Sequence, residues 1–257
     1  MVWLANGAPS LVGPVTWRKP IEFGISGAIT TLSLAWVMGR LPRSPGWDWS
    51  AAMPIAFFVP ETLLIDVQQW RGVPSHFNYD SDLDAAVFSV MGILIGVVAI
   101  GIAILTVRAF GRVSGPPSTA LAIRAGMIFL FVGQLMGGLI LANAFGPGTT
   151  VANASIVGAA GELKVPHALG LHGLQVLAVL ALILERAQVS ARSALTSVAC
   201  CALGYGLLIV AATLQTYAGL GPLALTPLTL IAALVGVVLI AGPYLRGLSA
   251  IRRTSLA

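Results

Sequence analysis

Side chains able to do acid–base or ligand chemistry are few in this chain: nine Asp and Glu and three His among 257 residues. The sharpest local pattern is Pro60-Glu-Thr-Leu-Leu-Ile-Asp-Val-Gln-Gln-Trp-Arg-Gly72, where Glu61, Gln68 and Arg71 follow one another at spacings of seven and three. That places them on one helical face, which should look into a helix bundle. Glu61 falls near the middle of an apolar stretch. An ionisable group facing lipid there is costly, so it must be protonated, paired or set beside a polar cavity. Asp66 lies about 140° round the helix from Glu61 and is expected to serve a separate contact.

Downstream, Gly72 and Pro74 end that helix, and Pro74-Ser-His-Phe-Asn-Tyr-Asp-Ser-Asp-Leu-Asp84 forms a loop and the start of the next one. Asp80 or Ser81 is expected to cap it, and its positive N-terminal end favours the nearby acids. Capping and water account for Asp82, whereas of Asp80 and Asp84, one turn apart, one or both are expected to face the mouth of the bundle. A second polar segment, Val165-Pro-His-Ala-Leu-Gly-Leu-His-Gly-Leu-Gln175, starts a helix with a proline and puts His172 about one and a half turns inside it. Gln175 lies one turn deeper on that face. Gly170 and Gly173 flank His172 and leave room for a flat macrocycle or for a closely packed helix. His167 lies about 140° away and shares a target with His172 only if the start of the helix is irregular.

Three chemistries fit these residues. In the first, His172 with His76 or His167 ligates haem b, Arg71 pairs a propionate, and Gln68, Gln175 and Glu61 complete the surroundings of a redox centre. In the second, His76, His167 and His172 with Asp84 or Asp80 hold zinc or another divalent metal whose water is activated for hydrolysis. Glu61 and Asp84 are the candidate catalytic carboxylates. In the third there is no cofactor, and Glu61, Asp66, Gln134, Asn143 and Gln175 line a transport or ligand pathway, or the chain is a structural subunit of a membrane complex. A retinal Schiff base is excluded, because Lys19 and Lys164 both fall at the ends of apolar stretches rather than inside one. A quinone or another membrane subunit is the partner that the redox reading would call for.

The elements that must position these residues follow from composition. With 57% apolar residues, 9% charged and a mean hydropathy of +0.93, the chain is an integral membrane protein whose first partner is the lipid bilayer. The excess of Lys and Arg over acids is too small for a nucleic-acid reader. Seven stretches reach the roughly 20 residues needed to cross hydrocarbon: 21–41, 51–70, 83–110, 120–143, 166–187, 193–217 and 222–245. Runs such as Met91–Leu105 are apolar on every face and none alternates in polarity as barrel strands do, so the expected fold is an all-α polytopic bundle of seven transmembrane helices forming one domain over 1–257.

Residues 1–20, with Trp3, Leu4 and Trp17, suit an interfacial segment and lack the pattern of a signal peptide. Arg18, Lys19, Arg71 and Lys164 fall on the side of the N-terminus and the other ten basic residues on the opposite side. The positive-inside rule then puts the N-terminus outside and the C-terminus in the cytoplasm of a multi-pass cell-membrane protein. Seven of the nine acids and all three His lie toward the outside, which makes that half the expected seat of chemistry. Cys200 and Cys201 are neighbours on one helix, their side chains diverge, and they read as packing residues. The 144–165 loop is long enough to fold over the outer mouth as a lid.

Overall fold

The long apolar runs become helices because a helix pairs its own backbone groups where lipid offers no partners. A computed structural model describes residues 13, 15–144, 150 and 153–254. In chain order these form α1 (Arg18–Arg40), α2 (Pro45–Ala56), α3 (Phe58–Trp70), α4 (Asp82–Ala109), α5 (Pro117–Ala144), β1 (Ile156–Val157), β2 (Gly161–Glu162), α6 (Lys164–Arg186), α7 (Ala191–Tyr217) and α8 (Pro227–Thr254). With α2 and α3 counted as one interrupted span, seven helices are long and apolar enough to cross a membrane. The chain is an all-α, multi-pass membrane bundle. Trp3 and Leu4 of the expected interfacial segment lie outside the described residues, and Arg18 to Pro20 belong to α1.

The second span is interrupted for a covalent reason. Pro54 and Pro60 have no N–H to give, so the ladder loses bonds on both sides of Phe57. Phe57 instead donates to the Pro54 carbonyl at 3.1 Å, a tighter turn than the α-helical one, and Glu61 closes back on Phe57 at 3.3 Å. Glu61 therefore stands in the first turn of α3, where a helix N-terminus favours negative charge. The last span starts later than hydropathy indicates. Thr226 and Thr229 bond each other's backbone N–H through their hydroxyls at 3.0 and 3.2 Å, a reciprocal cap that fixes the start of α8 at Pro227 rather than at Pro222.

Glycines set the tightest helix pair. A Cβ on Gly170 of α6 would lie 2.5 Å from the Cα of Gly133 on α5, and one on Gly133 would lie 2.6 Å from the Leu171 nitrogen. The two backbones touch, and dispersion between them replaces the hydrophobic drive that lipid removes. Gly204 and Gly236 do the same for α7 and α8. Around this frame α1 leans on α3 and α6, α2 and α3 lean on α4, and α4 leans on α5. Cys201 is fully buried in the α5–α6–α7 core while Cys200 is only partly covered, and both thiols are free.

We call the end of the bundle holding the start of α1 the N side and the end holding the last turn of α8 the C side. On the C side Arg108 pairs with Asp48 at 2.9 Å and Arg40 with Glu185 at 3.3 Å. The C-side half below the chemistry is sealed by Leu34, Val37, Ile55, Val98, Ile102 and Leu105, all buried in one apolar cluster. On the N side the β1–β2 hairpin is fastened to α5 and α7. Asn143 holds it from α5 by donating to the Ala154 and Ile156 carbonyls at 2.9 and 3.1 Å, and Thr216 of α7 donates to the Glu162 carbonyl at 3.1 Å. The described part of the expected lid is thus docked on α5 and α7, because its own carbonyls find donors there.

Candidate functional site

The acids and imidazoles of the N-side half divide into three groups, each assembled by different elements. The first joins Glu61 of α3 to His76 of the α3–α4 loop. Glu61 is 2% exposed, its Oε1 faces His76 Nε2 at 3.9 Å, and its Oε2 is buried without a hydrogen-bond partner among the described residues. His76 has its other nitrogen, Nδ1, 3.1 Å from the hydroxyl of buried Ser75. Its ring is wedged against Phe23 of α1 and Phe88 of α4, with centroids 5.6 and 6.0 Å away. Burial among these rings, with the charge of Lys19 close by, holds the His76 imidazole well below its usual range and keeps it neutral at pH 7.

The loop reaches this position through an unusual backbone. Phe77 has φ of +55°, the left-handed region that a bulky aromatic residue enters only at a cost of about 1–3 kcal/mol. The contacts that offset it are visible: Phe77 packs on Phe88 at 5.1 Å, and Asn78, 1% exposed, donates to the Pro74 carbonyl at 3.1 Å.

The second group is a closed network. Asp84 takes Arg71 at 2.6 Å and Gln68 at 3.0 Å on one oxygen and Ser81 at 2.7 Å on the other, and Arg71 also donates to the Gln68 carbonyl. The Ser81 hydroxyl in turn accepts from the Asp84 N–H at 3.2 Å, so Ser81 rather than Asp80 is the cap of α4. Both Asp84 oxygens are engaged. Asp84, expected as a catalytic carboxylate or metal ligand, and Arg71 and Gln68, expected beside a cofactor, are bonded to one another. A carboxylate with a cation and a cap donor in reach stays with them, and the network clamps the end of α3 to the start of α4.

The third group ties α6 to its neighbours. His172 Nε2 lies 3.3 Å from the Ser26 hydroxyl, and the Gln175 amide lies 3.3 Å from the Thr30 hydroxyl, so two successive turns of α6 are bonded to two of α1. His167 turns the other way, with Nδ1 2.7 Å from the Gly133 carbonyl of α5 and its ring against Gly137. The 140° separation expected of a regular helix is what α6 has. No protein family matches this chain, and no curated protein or solved structure is similar to it.

The structure does not bring the three histidines together, and among the described residues no three His, Cys, Asp or Glu side chains converge as a metal set. A zinc site of His76, His167 and His172 therefore has no assembled ligands. Nor do the glycines beside His172 hold a slot for haem. A Cβ on Gly173 would meet Phe129 and Tyr205 within 3.0 Å, and Gly170 is filled by the α5 backbone. The space that the sequence left open for a macrocycle is spent on helix packing, so the residues around His172 do not fit a flat macrocycle.

Lys19, Phe23, Ser75, Phe77 and Phe88 surround the Glu61–His76 pair and carry no spacing signal that would have singled them out. They come from α1, the loop and α4, and the loop takes left-handed backbone at Gly72 and Phe77 on either side of His76. Asp66, only partly exposed, has no part in this group.

Proposed function

We propose that this membrane protein works through a proton-exchanging carboxylate, Glu61, in the outer half of the bilayer, of the kind a proton-coupled carrier of small solutes uses. The observation that supports it is the state of the Glu61 side chain: 2% exposed, one oxygen facing an imidazole, the other without a partner among the described residues. A buried acid kept for structure would be saturated, as Asp84 is, because each unmet lone pair costs free energy. Intramembrane carboxylates with unmet hydrogen-bonding capacity are functional candidates by default. The interruption of the span at Phe57 adds to this, since broken helices carry the ion and substrate sites of many carriers. With the basic residues weighted toward the C side, the positive-inside rule makes the N side extracytoplasmic, so the pair faces outward.

The test is spectroscopic. In purified protein reconstituted in lipid, infrared difference spectra between acidic and alkaline buffer should contain a carboxylic C=O band that is lost in Glu61→Gln, with Asp84→Asn leaving that band in place. A band unaffected by Glu61→Gln would defeat the reading. Haem b, zinc and a quinone have no supporting arrangement of residues beyond the expectations set out for them. An absorption spectrum and metal analysis of the same sample test the first two.

A further inference from the structure

Glu61 is buried, and the imidazole beside it is the more exposed of the two. The His76 side chain is 23% exposed whereas that of Glu61 is 2% exposed, and the imidazole has a nitrogen on each side, Nε2 toward Glu61 and Nδ1 toward Ser75. On the opposite side of Glu61 the chain is dry: Phe58, Ile55, Ala51 and Leu34 pack into the apolar cluster that fills the C-side half. Accepting that Glu61 is the proton-exchanging group, we infer that in this helix arrangement it exchanges protons with the N-side aqueous phase by relay through His76, and that Ser75 is the positioning residue that sets the tautomer of the ring.

The relay balances as follows. With the Ser75 hydroxyl donating to Nδ1, the proton of neutral His76 is on Nε2 and points at the Glu61 carboxylate. A hydronium ion at the N side delivers its proton to Nδ1, directly or by way of the Ser75 hydroxyl, and leaves as water. The Nε2 proton passes to Glu61. The products are a neutral carboxylic acid and a neutral imidazole protonated on Nδ1, and the reverse sequence discharges the acid. The 3.9 Å gap between Nε2 and Oε1 is longer than a hydrogen bond and is closed by a tilt of the ring or by one bridging water.

The groups that face the ring from each packed element are Glu61 from α3, Lys19 and Phe23 from α1, Phe88 from α4, and Ser75 and Phe77 from the loop. Lys19 bears on both members of the pair. Its positive charge opposes a lasting imidazolium, which suits a group that passes protons on rather than storing them. Arg71 and Asp84 neutralise each other, and Asp66 of α3, Asp80 of the loop and Asp82 of α4 are the other charges at this end.

The experiment follows the Glu61 C=O band, assigned by Glu61→Gln, after a pH step on one side of vesicles of known orientation. A step on the N side should move the band promptly in wild type, and a step on the C side should move it only at the slower rate at which the carrier changes the side it faces. His76→Ala should slow the N-side response about tenfold or more, with added imidazole restoring it. Ser75→Ala should slow it less and Ser75→Thr should leave it near wild type, a pattern that lost packing does not produce. If His76→Ala fails to fold, the Ser75 pair and the two-sided pH step carry the test. An equal response from the C side, or an unchanged rate in His76→Ala and Ser75→Ala, overturns the relay while leaving Glu61 as the exchanging group. Absence of any Glu61 band at any pH overturns the proposed function itself.

Discussion

Two buried carboxylates a few turns apart have opposite fates, decided by how many donors reach them. Asp84 collects Arg71, Gln68 and Ser81, and Glu61 collects one imidazole at long range. Arg71→Ala would leave Asp84 with two neutral donors and no cation, and a loss of stability is expected. Chemical unfolding in mild detergent measures it, and Asp84→Asn in the same background should remove most of the penalty.

His76 supplies a pH signature. Its folded form resists protonation while the unfolded chain titrates near the ordinary value of 6.5, so below that pH the unfolded state binds the extra proton. Stability contributed by neutral His76 is therefore present above pH 6.5 and is lost as pH falls, with a limiting slope of about 1.4 kcal/mol per pH unit. Melting temperatures taken from pH 7.5 down to about 5 should fall faster in wild type than in His76→Gln.

At the scale of elements, α5 and α6 form the rigid frame and α1 the lightly attached one. Gly170→Ala would place a methyl 2.5 Å from the Gly133 backbone, where nothing flexible can yield. The helices must separate, at an expected cost of about 1–3 kcal/mol. Gly138→Ala, on the same α5 but with open space around it, should be neutral or slightly stabilising. Unfolding of the two variants side by side separates packing from helix propensity. Conversely α1 is bonded to α6 through Ser26–His172 and Thr30–Gln175. Replacing both His172 and Gln175 by Leu should weaken α1 docking, seen as faster protease cleavage near its ends, without moving the Glu61 band. That outcome would confirm that His172 fastens helices and does not belong to the proton site.

For the whole molecule the testable quantity is orientation. With Cys200 and Cys201 replaced by Ala, a cysteine at exposed Asp80 should react with a membrane-impermeant maleimide on intact cells, and one at exposed Arg112 only after permeabilisation. The reverse pattern would place the Glu61–His76 pair on the cytoplasmic side and invert the direction of the proposed relay.

Seven spans, their approximate limits and the inward face of α3 were legible from the amino-acid order, because apolar length and the 3.6-residue period are local properties that any lipid-embedded chain must obey. Glu61, Gln68 and Arg71 were correctly placed on one face for the same reason. What the order of residues left open is which partners each polar group meets. His76 reaches Glu61 through a left-handed Phe77 and an irregular loop, and no periodicity describes such a path. His167 and His172 share a helix yet turn to α5 and α1, and Gly170 and Gly173 are occupied by neighbouring helices rather than by a macrocycle. Helix formation is set within the segment, whereas side-chain pairing is set by the angles and depths at which separate helices pack, and those exist only in the assembled bundle.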